Sequence, residues 1–380
     1  MTSYRPSRPP REAPIYRRAL SLAAAGLTGI AVLVGWSFEP GAPTSALRRL
    51  SRLQLAPGLL AAQPTRLSLH QLSAAERARG YHECNPADPM GIGPYKPYRN
   101  LCMGRMLVPQ RGGHTPDGGY DVVVHFHGYE ATRKTLVQVA RGVVYVGIDK
   151  GLNSGPYERA FASPEAFPTL LRSIDKNLKA ETGNPSAFVR HVALTAWSAG
   201  YGAVNQILKK HADAVDAVVL LDGLHGSWDV VRSRDPHEPL TSTSIAPTVE
   251  FARRAVRGEK IFIFSHSAID PVEYPSTSET ADNLLLELGV KREPVNPGTQ
   301  VFAQDSKAEA GGFYVWSYKG RNELAHCAHI PLMAKALHII ESAWRTPAMD
   351  RNVPMNPPPK RWPQPTADDA KAVAEAESAE

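Results

Sequence analysis

Six short apolar runs punctuate the middle of this chain: YDVVVHFHG (120–128), GVVYVGID (142–149), RHVALTAWS (190–198), DAVVLLDG (216–223), KIFIFSHS (260–267) and FYVWSYKG (313–320). They are rich in Val, Ile and aromatics, and most are apolar nearly throughout instead of alternating. Strands buried on both faces have that composition, which is the condition of a parallel sheet covered by helices. Segments with helical character separate several of them, at 164–181, 200–212, 247–257, 277–289 and 330–344. The alternation predicts an α/β fold built on a mostly parallel, doubly wound sheet flanked by helices. In such sheets ligands and chemistry gather at the carboxyl ends of the strands. Residues just after each run therefore carry the most functional weight.

The chain ends lack this pattern. Arg5, Arg8, Arg11, Arg17 and Arg18 face only Glu12 in residues 1–18, and an uncharged run from Ala19 to Phe38 follows. About 20 helical residues cross the ~30 Å hydrocarbon layer. Arginines before the run and Trp36 near its end fit a membrane helix with a cytoplasmic N-terminus. An uncleaved anchor is preferred over a cleaved signal peptide, because the run is long and no small-x-small site follows it. Either way the rest of the chain is expected outside the cytoplasm. The basic N-terminus accounts for much of the formal charge of +6, and no basic stripe interleaved with aromatics appears later, so nucleic acid is not an expected partner. Residues 39–103 read as a linker and lead-in, 104–345 as the folded domain, and the Pro-rich, then Ala/Glu-rich stretch 346–380 as a disordered tail.

Three cysteines are present. Cys84 and Cys102 flank a Pro/Gly-rich loop and are the expected disulfide pair, leaving Cys327 over. No spacing suited to zinc occurs, so neither metal nor cofactor is expected. Nothing places Cys327 on a turn that would make it a nucleophile.

The segment VALTAWSAGYGA (192–203) has the order strand, serine, helix. A tight turn between strand and helix lifts a serine hydroxyl to the sheet edge, and small residues must flank it because strand and helix approach closely there. Ser198 is the candidate nucleophile. A plain helix cap is the bland alternative for the same residue. VVVHFHGYE supplies a second strand end, where Gly128 lets the backbone bend so that the Tyr129 N–H points into the site. With the N–H of Ala199 it would stabilise an oxyanion. His125 reads as an ordinary strand residue.

These two motifs, in this order, resemble the α/β-hydrolase superfamily, in particular its esterases and depolymerase-like members with a His-Gly oxyanion loop. The resemblance covers roughly residues 104–345. It departs from the common pattern at Ala196, which replaces a glycine, and it shows no plain copy of the first two strands, although RMLVPQ (105–110) offers one. The resemblance implies a Ser–His–acid triad without a metal and hydrolysis of an ester, thioester or amide. The family order places the histidine last, in RNELAHCAHIPLM, where His326 is preferred over His329 and His338 is read as structural. Two acids stand equal, Asp222 at the end of VVLLDG and Asp270 in SHSAIDP, with Glu279 third. His225, Trp228, Tyr129, Tyr201 and Tyr274 fall in loops near the expected rim. The expected activity is carboxylic-ester hydrolysis of accessible or soluble substrates. A secreted peptidase, a polyester depolymerase and a non-catalytic envelope-binding protein of the same fold are the alternatives.

Overall fold

A computed structural model describes residues 84, 86, 88, 90–228, 240–271, 273–296, 303–346 and 349. The expected membrane segment at 19–38 and almost all of the tail lie outside these residues. Among the described residues, no helix is long and apolar enough to cross a membrane.

Every one of the six apolar runs becomes a strand. In chain order the main sheet contains β1 (Arg99–Asn100), β2 (Arg105–Leu107), β3 (Gly119–Phe126), β4 (Val144–Ile148), β5 (Phe188–Trp197) and β6 (Ala217–Leu221). A small hairpin apart from it pairs β7 (Ser227–Trp228) with β8 (Leu240–Thr241). The main sheet resumes with β9 (Ile261–His266), β10 (Glu293–Pro294), β11 (Gln304–Ala310) and β12 (Phe313–Tyr318). Its ten strands lie in the order β1-β2-β4-β3-β5-β6-β9-β12-β11-β10. The six from β4 to β12 are mutually parallel, and antiparallel strands close both edges. RMLVPQ does supply an early strand, β2.

The helices are α1 (Tyr129–Val139), α2 (Ser154–Ala160), α3 (Ala166–Thr182), α4 (Tyr201–His211), α5 (Ala246–Val256), α6 (Thr277–Leu288), α7 (Glu323–Cys327) and α8 (Leu332–Trp344). Strand side chains alternate between two cores. Val122, Val124 and Phe126 join Leu170 and Ile174 of α3, Val204 and Ile207 of α4 and Phe251 of α5. Val123, Tyr145 and Val219 join Leu136 of α1 and Leu337 and Ile340 of α8 on the other face. Each fully buried side chain of this kind contributes about 1.5–3 kcal/mol, so covering both faces explains the unbroken apolar runs. Together with the serine turn described below, this topology is that of the α/β-hydrolase fold.

Two boundaries differ from the sequence reading. From residue 90 onward the lead-in packs on the domain: Tyr95 is buried and donates its hydroxyl to Val143 O at 2.8 Å. Arg133 of α1 also grips Asp88 and the Gly91 carbonyl. At the other end Met349 is buried, with its sulfur 3.4 Å from Arg190 Nη2.

The cysteine pairing is corrected. Cys84 is bonded to Cys327, and Cys102 is the exposed free thiol.

Candidate active site

Chain order takes β4 to one side of β3 and β5 to the other, so the topological switch falls between β3 and β5. At and beside this point, three residues follow the carboxyl ends of adjacent strands: His127 after β3, Ser198 after β5 and Asp222 after β6. Their φ angles are 70°, 50° and 46°, and among the described residues no other non-glycine has a positive φ. A left-handed residue with a side chain costs on the order of 1–3 kcal/mol, and such strain clusters where geometry serves function.

The turn at Ser198 is enforced by its surroundings. A Cβ on Gly200 would lie 2.2 Å from Phe126 O, so the start of the helix touches the end of β3 directly. A Cβ on Gly223 would meet Ser198 O at 2.1 Å. Ala196 is fully buried within β5, which shows that a methyl group fits where the common motif has glycine. Ser198 opens a 3-10 turn leading into α4. The N–H groups of the first helical turn have no acceptor within the helix, and that of Ala199 follows the serine directly.

Asp222 meets His326. Its Oδ2 lies 2.7 Å from His326 Nδ1, while Oδ1 accepts the Ser267 N–H at 2.7 Å and the Thr277 hydroxyl at 2.9 Å. Burial works against charge on this carboxyl but is outweighed by the neighbouring His329 and His326 and by the Ser267 N–H, which hold it well below the usual carboxylate range. A permanent acceptor on Nδ1 fixes the His326 tautomer and leaves Nε2 as the basic atom. His326 shares a cavity of about 310 Å³ with Ser198, Asp222, His225, Tyr274 and Arg321.

The alternatives fall elsewhere. Asp270 is exposed and is not the carboxylate on His326. Glu279 is the third residue of α6 and accepts the Ser276 N–H at 2.7 Å in a capping box. His329 is buried with Nδ1 2.8 Å from Ser265 Oγ, and burial pushes its pKa down to about 4. It is a neutral packing residue. His338 is exposed on α8, and Trp228 lies in the small hairpin.

The His127-Gly128 turn differs from the expected loop, because Gly128 leads straight into α1. The Gly128 N–H donates to Asp149 Oδ1 at 2.8 Å. Tyr129 opens α1, and its ring packs on Gly147. Burial raises the pKa of Asp149, with the Gly128 amide pulling the other way. His125 is more than a strand residue. Its Nε2 donates to His127 O at 2.9 Å and its Nδ1 accepts from the Thr195 hydroxyl at 2.8 Å, which ties down the left-handed turn. Burial lowers its pKa to about 3, so it stays neutral.

Sequence reasoning also missed Trp197. Its indole is stacked between His127 and His326, with ring centroids 5.3 and 4.8 Å away. Nothing local marks it, since the position before the serine is only the variable residue of the motif. Among the described residues, no group of histidine, cysteine and acidic side chains is arranged to hold a metal.

Solved structures resembling the chain include several esterases. No family model matches it, and no curated protein does. The enterobactin esterase of Shigella flexneri aligns at 10% identity and a TM-score of 0.40, over 71% of this chain and 63% of its own. Carboxylesterase CesB of Bacillus subtilis aligns at 8% identity and a TM-score of 0.36, over 73% of this chain and 98% of its own. A cold-adapted esterase from an Arctic intertidal metagenomic library gives 14% and 0.36, over 64% and 87%. The chain spans about three fifths of the length of the enterobactin esterases it matches.

Proposed function

We propose that this chain is a serine hydrolase of carboxylic esters, with Ser198 as nucleophile, His326 as base and Asp222 as the acid that orients it. The observation that carries the reading is the 2.7 Å Asp222–His326 contact opening on the same cavity as a serine held at a φ of 50°. His326 Nε2 takes the Ser198 proton as Oγ attacks the ester carbonyl, and returns it to the departing alcohol. Water, deprotonated in turn by Nε2, then releases the acid from Ser198. The Ala199 N–H is the donor available to the tetrahedral oxyanion; removing a donor of this kind typically costs about 3–4 kcal/mol of barrier. The Gly128 amide is held by Asp149.

Residues 19–38 are proposed to hold or lead the domain across a membrane, with the catalytic part outside the cytoplasm. A disulfide between Cys84 and Cys327 suits an oxidising compartment.

A fluorophosphonate probe tests the reading. The protein should be labelled on Ser198 and Ser198→Ala should not be labelled; undiminished labelling of the variant would overturn the assignment.

A further inference from the structure

His225 lines the same cavity as Ser198 and His326, yet no step above uses it. Its Nδ1 lies 2.8 Å from Pro275 O. A carbonyl oxygen only accepts, so Nδ1 carries the proton and the neutral ring has a bare lone pair on Nε2. The ring cannot swing away readily. Tyr274 meets it edge-to-face at 4.7 Å and Tyr201 at 5.5 Å. Nε2 has no hydrogen-bond partner among the described residues, and it is not among their sealed, unsatisfied atoms, which are Tyr98 Oη, Arg292 Nη1 and Trp316 Nε1. The lone pair is therefore open to the cavity. Burial lowers the pKa of the ring, which keeps it an acceptor near neutral pH.

Several of the other polar wall groups are committed, while Arg321, Glu323 and Tyr274 line the same cavity. The Ser267 N–H and Thr277 hydroxyl are spent on Asp222, and Asn322 Oδ1 accepts the Ala325 N–H. A fixed acceptor left bare on the cavity that holds Ser198 and His326 favours a ligand that brings it a proton donor, because a bound ligand without one displaces water and leaves it unsatisfied.

From this geometry we infer that His225 is a specificity residue, whose Nε2 accepts a hydrogen bond from a hydroxyl carried by the substrate near its ester group. The preferred substrates are thus hydroxyl-bearing esters in place of plain alkyl ones. The inference rests on the serine-hydrolase reading of Ser198 and His326 and adds the substrate class to it.

Matched pairs that differ only by capping the hydroxyl with a methyl group test it. On the acyl side these are ethyl lactate against ethyl 2-methoxypropionate and ethyl 3-hydroxypropionate against ethyl 3-methoxypropionate. On the alcohol side the pair is 2-hydroxyethyl butyrate against 2-methoxyethyl butyrate. Acid release at constant pH gives kcat/KM for each. At least one pair should favour the free hydroxyl by roughly 10- to 100-fold in the unaltered protein. In His225→Phe that ratio should fall to about one, whereas His225→Gln, which keeps an acceptor, should retain part of it. Because the readout is a ratio, a general loss of activity cancels. No preference in any pair, or a preference that survives His225→Phe, overturns the inference. Hydrolysis that persists in Ser198→Ala would instead defeat the underlying reading, so the two failures are separable. The capped pairs need only the unaltered protein, so the test stands even where a variant does not fold.

Discussion

The indole of Trp197 lies against the imidazole of His326, with centroids 4.8 Å apart and planes inclined by 30°, and its Nε1–H donates to His326 O at 3.1 Å. The residue before the proposed nucleophile thus holds both the ring and the backbone of the proposed base. An imidazolium facing an indole gains about 0.5–2 kcal/mol from the ring quadrupole. Trp197→Leu should lower kcat roughly 3- to 30-fold with a smaller change in KM, because the charge arises only during reaction. Trp197→Phe, which keeps an aromatic face but loses the N–H, should fall between. A loss confined to KM would show that the indole binds substrate instead.

Removing the charge of Asp222 tests the acid directly. Asp222→Asn keeps the size of the side chain but offers an amide where Nδ1–H needs a carboxylate, which favours the wrong His326 tautomer. A drop in kcat of about a thousand- to ten-thousand-fold is expected. Asp270→Asn should stay within about threefold, since that exposed carboxylate is not the one on His326. Steady-state kinetics of the two variants on one activated ester decide between them.

Those two aspartates show where the sequence stopped being informative. Each follows an apolar strand, and no local spacing separates them. What distinguishes Asp222 is the Thr277 hydroxyl and the Ser267 N–H, 55 and 45 residues away, which support the carboxylate on the side opposite His326. Ser198 was legible because its turn is encoded within a few residues of itself. The parallel strands were legible because burial on both faces leaves unbroken apolar runs. Strand β11 was not, because it is QDSKAEA with only Ala308 fully buried, and its pairing with β12 is a long-range backbone fact. Helix α1 is not legible in the sequence because β-branched Thr132, Thr135, Val137 and Val139 weaken its helical signature, and Gly128 starts it without a side-chain cap.

Glu341 makes stability depend on pH. Its side chain is buried on α8, Oε1 accepts the Arg141 N–H at 2.8 Å, and Arg141, Arg345 and Asp121 are the charges around it. Burial raises its pKa from 4.5 to about 7, more than the Arg141 N–H and the two arginines offset, with Asp121 pushing the same way as burial. Between pH 4.5 and 7 the folded protein keeps a proton that the unfolded chain releases, so this group's contribution to stability falls as pH rises. Glu341→Gln retains the acceptor and abolishes the titration. The variant should gain stability relative to the parent as pH goes from 5 to 8, by on the order of 2–3 kcal/mol. Urea melts at the two pH values measure this; equal differences at both would refute it.

The Cys84–Cys327 bond attaches the lead-in segment to the residue next to the proposed base. Helix α7 has only five residues, too few to hold its shape alone. The ties that keep it in place include Asn322 Oδ1 accepting the Ala325 N–H at 2.9 Å, the Asp222 contact with His326, the Trp197 N–H on His326 O, and the disulfide. The bond closes a loop with a sequence separation of 243, and cross-links of long loops stabilise by about 3–5 kcal/mol when native geometry is kept. Reduction should therefore lower the melting temperature and also reduce kcat/KM severalfold, since looser anchoring of α7 moves His326. Cys84→Ala should show both losses without reductant and no further response to it. Cys102→Ser should behave as the parent in every condition, because that thiol is exposed and outside the bond. A reduced protein that melts earlier but hydrolyses esters at the parental rate would limit the disulfide to stability and remove it from the positioning of His326.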